Sequence, residues 1–132
     1  MNPGPELDRA IAEQVMGWKA NPNPDKYRAE SINRYGQPVL DVANIGHNCD
    51  AYDEVIFQPS TNIAHAWEVV EYMTQTTKES WEFTHYTTLQ IAIFEFDGGR
   101  ERPWKPGQYV GEALTMPHAI CLAALAAVNA KP

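Results

Sequence analysis

One stretch, residues 58–73, constrains this chain more than any other. Pro59 disfavours helix at Gln58, because its ring crowds the residue before it. Ser60, Thr61 and Asn62 follow as three successive N-cap candidates, each able to accept from an unpaired first-turn amide. No Glu or Gln lies three residues beyond any of them, so there is no capping box. Ile63, Ala66 or Trp67, Val70 and Met73 then recur at helical spacing and predict one apolar stripe. Glu68, Glu71 and Tyr72 mark the opposite face. A helix this short does not hold itself together in water. The rest of the chain must supply a sheet for it to pack on.

Before that helix, Pro5 suits a first helical turn, where its missing N–H costs nothing. Leu7, Ile11 and Val15 give a stripe, and Gly17 is a C-terminal stop. Trp18 is expected to fold back onto the core. The Asn-Pro-Asn-Pro text of residues 21–24 is loop. Residues 27–32 and 37–42 are expected as two short strands around a turn at 33–36, with Gly36 free to take positive φ. Residues 45–53 are irregular and polar, and 54–57 lead into the helix cap.

After the central helix, residues 74–80 are a polar link and 81–86 alternate like a strand. Residues 88–96 carry the strongest strand pattern. Leu89, Ile91 and Ile93 share one face, while Phe94 and Phe96 break the parity. Either a bulge lies near Ile93 or both faces are partly covered. Asp97-Gly98-Gly99-Arg100 ends the strand, and residues 103–107 are expected as a rigid exposed loop around Trp104. Thr115 is expected to cap a last helix that is apolar over much of its circumference, and so buried on more than one side. At 132 residues and 44% hydrophobic, the chain is expected to form a single domain, 1–132, with a core of its own. The fold class expected is α/β (α+β), an α/β/α sandwich: a small, mainly antiparallel sheet packed by about three helices.

Three blocks carry a resemblance: Leu7 to Lys19, Pro59 to Glu71, and Pro117 to Leu125. With the turn text Gly36-Gln37-Pro38-Val39, the chain resembles the phage ABA sandwich domain family over nearly its whole length. It departs from it in the polar insert at 44–53 and in the loop at 98–107. The resemblance implies an α/β/α sandwich and a phage origin, and brings no catalytic residues with it. Analogy from that genomic setting implies anti-defence: binding a host protein, or sequestering a nucleotide signal.

The net charge of −7 argues against a general nucleic-acid binder, whose phosphate contacts need a basic surface. Cys49 and Cys121 are too few for a disulfide scaffold, and Cys121 in its apolar run is expected as a buried thiol. A reducing setting in the host cytoplasm is the expectation. The N-terminal text lacks the apolar core of a signal peptide. No stretch approaches the ~20 apolar residues of a membrane span.

His47, His65, His85 and His118 show no paired spacing, and there is no CxxC or HExxH, so no metal site and no cofactor are expected. Cys49 would meet His47 only in a tightly folded loop. No G-x-S-x-G elbow exists. A Ser-His-Asp set is spatial, so the sequence leaves it open. The pairs Asp50/Asp53 and Glu68/Glu71 are expected as solvated charges. Gly98-Gly99 precedes no Gly-Lys-Ser or Gly-Lys-Thr. A non-catalytic protein is the expectation.

Binding chemistry is better represented. A helix N-terminus attracts anions through free amides and the helix dipole, although Ser60, Thr61 and Asn62 also serve simple capping. Arg28, Arg34, Arg100, Arg102 and Lys105 lie among Tyr27, Tyr35, Trp104 and Tyr109. Arginine beside an aromatic platform supplies charge for a phosphate and a π-face for a base. The expected ligand site is therefore Ser60, Thr61 and Asn62 with Arg100, Arg102 and Trp104, for a small anionic, nucleotide-like ligand such as a host-defence signal. The alternative is a protein-interaction module or phage structural accessory protein, homo-oligomers included. Its surface would be Trp104, Tyr109 and the alanine-rich last helix. A small enzyme ranks third.

Overall fold

The computed structural model describes residues 1–23, 25–44, 52–74, 79–96 and 105–130. The first helix, α1 (Pro5–Ala10), runs on into a π-helical turn over Ile11–Val15. There the amide of Met16 reaches back to Ile11 and that of Trp18 to Ala12. Gly17 takes φ 74°, a left-handed value that suits glycine, and ends the helix as its sequence position predicts. Trp18 folds back onto Phe57, ring centroids 4.8 Å apart, and is buried.

The first sheet is β1 (Ser31–Ile32), β2 (Pro38–Asn44) and β3 (Tyr52–Ile56), paired antiparallel in that order. The β1–β2 turn is the one expected at 33–36. Asn33 Oδ1 accepts from the amides of Tyr35 and Gln37, and Gly36 adopts φ 78°. The strand expected over 27–32 shrinks to two residues. Glu30 sits at φ 56° and turns the chain out of extended geometry just before Ser31. The β2–β3 register shifts between Val39 and Asp41, a bulge at Leu40.

The second sheet is β4 (Glu79–His85), β5 (Gln90–Phe96) and β6 (Gly107–Ala113), again antiparallel and in order. Its registers are continuous, so no bulge lies near Ile93. The parity break in β5 has the other explanation. Gln90, Ala92, Phe94 and Phe96 face the core, while Ile91 and Ile93 are half-buried on the opposite face. Ile91 and Ile93, which share one face as their alternation predicts, are thus on the outer side.

Two helices cover the core face. In α2 (Ile63–Met73) the buried residues are Ala66, Val69, Val70 and Met73, and Ile63 and Trp67 stay about half exposed. Small Ala66 takes the inward position that Trp67 could have filled. α3 (Met116–Asn129) begins after Thr115, whose backbone is extended but whose side chain makes no capping bond. Ala119, Ile120, Ala123, Ala124 and Ala127 are buried against β5, β6, α2 and the π-helical turn. Gly111 allows that approach: a Cβ there would lie 1.9 Å from the Ala119 carbonyl oxygen and 2.7 Å from the Ala123 amide. α3 therefore gives this side to the core, while Leu122, Leu125 and Ala126 stay partly exposed. Among the described residues, three helices and two small antiparallel sheets make an α/β sandwich around one shared core. The single sheet expected is instead divided into two of three strands.

Candidate functional site

The turn that leads into the helix dominating the sequence is tied down by the protein itself. Asn62 is the working cap: its Oδ1 accepts from the His65 amide at 3.2 Å. Ser60 is only 1% exposed. Its Oγ accepts from the Gly4 N–H at 2.9 Å and donates to the Gly4 carbonyl at 3.4 Å. Its own amide donates to Asp8 Oδ1 at 2.8 Å. A carboxyl group does sit at the approach to α2, and it is that of Asp8, carried there by α1 and 4% exposed. Thr61 is exposed on the turn.

His65 completes this latch. Its Nδ1 accepts from the Gln58 amide at 2.9 Å, so the neutral ring carries its proton on Nε2. Burial pushes the Asp8 carboxyl above its ordinary value, against the opposing pull of the Ser60 hydrogen bonds and of His65. Burial likewise lowers His65, against the charges of Asp8 and Glu68. Serine, histidine and aspartate have thus come together, but they are not wired as a relay. Ser60 Oγ is buried and bonded to Gly4, and His65 Nδ1 is spent on the backbone. The Cys121 thiol is fully buried as expected, and burial, reinforced by the Asp8 charge, pushes its pKa up.

A cleft of about 490 Å³ opens elsewhere, within the size range of small-molecule sites. Trp18, Lys19, Arg28, Glu30, Ser31 and Tyr72 line it. The chain after Gly17 forms one wall by pairing with β1. Ile32 N–H donates to the Lys19 carbonyl at 2.9 Å, and Asn21 N–H to the Ile32 carbonyl at 2.8 Å. The other wall is held by Ser31 Oγ donating to the Arg28 carbonyl at 2.8 Å and Glu30 N–H to the Val39 carbonyl at 2.7 Å. Among the described residues Glu30 is the non-glycine residue with positive φ, a conformation that costs of order 1 kcal/mol and persists only where surroundings enforce it. The ion pair among the described residues is Arg9–Glu13, so Lys19 and Arg28 take part in none.

A family model described as the phage ABA sandwich domain matches residues 9–125. The chain belongs to the phage ABA sandwich domain family. The match runs from the first helix into the last, and so spans both sheets and the cleft of this phage-associated domain. No curated protein and no solved structure matches the chain.

Within this phage ABA sandwich domain, the sequence-predicted site residues are described in part. Ser60, Thr61 and Asn62 build the latch and its turn. Arg100, Arg102 and Trp104 lie outside the described residues, as do His47 and Cys49. Arg34 stacks on its own neighbour Tyr35, 5.5 Å from the ring centroid. Tyr109 is half-buried, its hydroxyl donating to the Lys105 carbonyl. Of the cations singled out from sequence, Arg28 reaches the cleft. Lys19 and Tyr72 were missed, since they come from segments remote from it in the chain. Among the described residues no three His, Cys, Asp or Glu side chains cluster as metal ligands. Nor is any described helix long and apolar enough to cross a membrane.

Proposed function

We propose that this phage domain is a non-catalytic binding protein that holds a small anionic, nucleotide-like ligand in the cleft between Trp18 and Tyr72. The observation that carries this is the pairing of two cations outside any described ion pair, Lys19 and Arg28, with the half-buried Tyr72 ring in one cavity of ligand size, where Glu30 is the one acid on the lining. Arginine offers a planar fork of donors to a phosphate, and an aromatic face stacks on a base. Holding such a ligand intact would sequester it, the action expected of a phage protein directed against a nucleotide defence signal.

The test is mass spectrometry of small molecules released by heating the purified protein, with a thermal-shift panel of linear and cyclic nucleotides. A ligand that binds only the native state raises its apparent stability. The expected result is a shift with at least one nucleotide, recovered unaltered. A chemically changed nucleotide would make the protein an enzyme, and no shift across the panel would remove the nucleotide reading.

A further inference from the structure

Among the described residues, the strand order β4-β5-β6 leaves β4 as an edge paired on one side. Exposed edges are templates for added strands, and proteins blunt them with proline, lysine or bulges. β4 has none of these: its sequence is Glu-Ser-Trp-Glu-Phe-Thr-His, and all seven residues pair with β5 without a break. Trp81 and Phe83 lie on the face that carries Phe94 and Ala92, opposite them in register. Aromatic rings run outward along that face. Trp81 contacts Phe94 at 5.0 Å and stacks on Phe83 at 5.8 Å with 9° between planes. Phe83 meets Trp67 of α2 at 5.5 Å. The row ends in solvent at the free edge, with Phe83 37% and Trp67 46% exposed.

The strand is complementary to itself. Two β4 strands laid antiparallel keep their core faces on one side when residues of like parity oppose one another. Centred on Phe83, this register sets Phe83 on its symmetry mate, Trp81 against His85 of the second copy, and Glu82 against Thr84 of the second copy. Centred on Glu82 it would set two like charges opposite, which destabilises. Such an interface is isologous and closes after two copies, so it does not propagate. We propose that β4 is a self-docking edge: two copies join their β4 strands antiparallel about a two-fold at Phe83, merging two three-stranded sheets into one.

Light scattering on the full chain across a concentration series tests this. The expected species is a dimer of twice 14.8 kDa that dissociates on dilution. Phe83→Glu and Phe83→Lys should each weaken it by about 30-fold or more, as loss of a central aromatic anchor does. Mixing the two variants one to one should restore it, because opposite charges then face one another. The mixture also separates lost docking from lost folding. A wild-type chain that stays monomeric overturns the proposal, even if it captures a strand of another protein. A dimer indifferent to charge at Phe83, or two folded variants that fail to re-associate, overturns it equally.

Discussion

The start of α2 and the cleft beside β1 are both polar places at the border of the core, and they are finished in opposite ways. At the helix start the donors of Gln58, Ser60 and His65 are matched from within. The Ser60 amide faces Asp8, Ser60 Oγ faces Gly4, the Gln58 amide faces His65, and Asn62 caps the helix. In the cleft Lys19 and Arg28 stand beside Trp18 and Tyr72 with no described ion pair. A buried polar group left unmatched is costly, so internal satisfaction is the mark of a structural device. Cations kept unpaired beside an aromatic ring gain little for stability and are available to a ligand. The difference fits a folding role for the latch and the binding role proposed for the cleft.

The largest effect should come from Asp8→Ala. It strips the buried Ser60 amide of its acceptor and should cost about 2–3 kcal/mol in urea denaturation, with affinity at the cleft unchanged. A negligible cost would break the comparison at its stronger end. Asn62→Ala removes the side-chain cap of α2 and should cost about 1 kcal/mol by the same measurement.

The Asp8→Asn variant sharpens the electrostatic side by keeping the acceptor and removing the charge. Burial raises the Asp8 carboxyl above 3.8, so the folded chain binds that proton more tightly than the unfolded chain. The stability owed to Asp8 is therefore full below pH 3.8, falls as pH rises from there to the folded value, and is level beyond. His65, lowered from 6.5, acts in the other direction, adding stability as pH rises to 6.5. Wild-type stability measured relative to Asp8→Asn should thus decline with pH above 3.8. A relative stability that climbs over that range would mean Asp8 is held as a favoured anion.

The smallest effect on stability belongs to the cleft. Lys19→Glu and Arg28→Glu should each change it by less than about 0.5 kcal/mol, as substitutions away from packed or bonded features do. A larger loss would make these cations part of the scaffold.

Much of this contrast was hidden in the sequence. The α2 boundaries were legible, because Pro59, the polar triplet and the apolar spacing all act within one turn of the helix start. So were the turn at Asn33, the stop at Gly17 and the buried Cys121. β6 was not legible. Its core-facing residues include Gly111 and Ala113, chosen for close approach to α3 and not for bulk, so no hydrophobic alternation announces a strand. β5 was legible as a strand, and of its two open explanations the covering of both faces is the one found, since both carry apolar residues. The π-helical turn at Ile11–Val15 leaves no trace in spacing over so few residues. A capping triplet looks the same whether its partners are a ligand or Asp8, which the chain delivers from fifty-two positions away. The cleft was invisible because Trp18, Lys19, Arg28 and Tyr72 meet only through tertiary structure.

Calorimetric titration of nucleotides into the wild-type chain, a Lys19→Glu/Arg28→Glu variant and an Asn62→Ala variant decides between the cleft and the start of α2. Wild type and Asn62→Ala should bind, with an affinity about 100-fold lower when both cleft charges are reversed. Affinity that survives the cleft reversal but collapses in Asn62→Ala would contradict the cleft proposal and return the site to the start of α2.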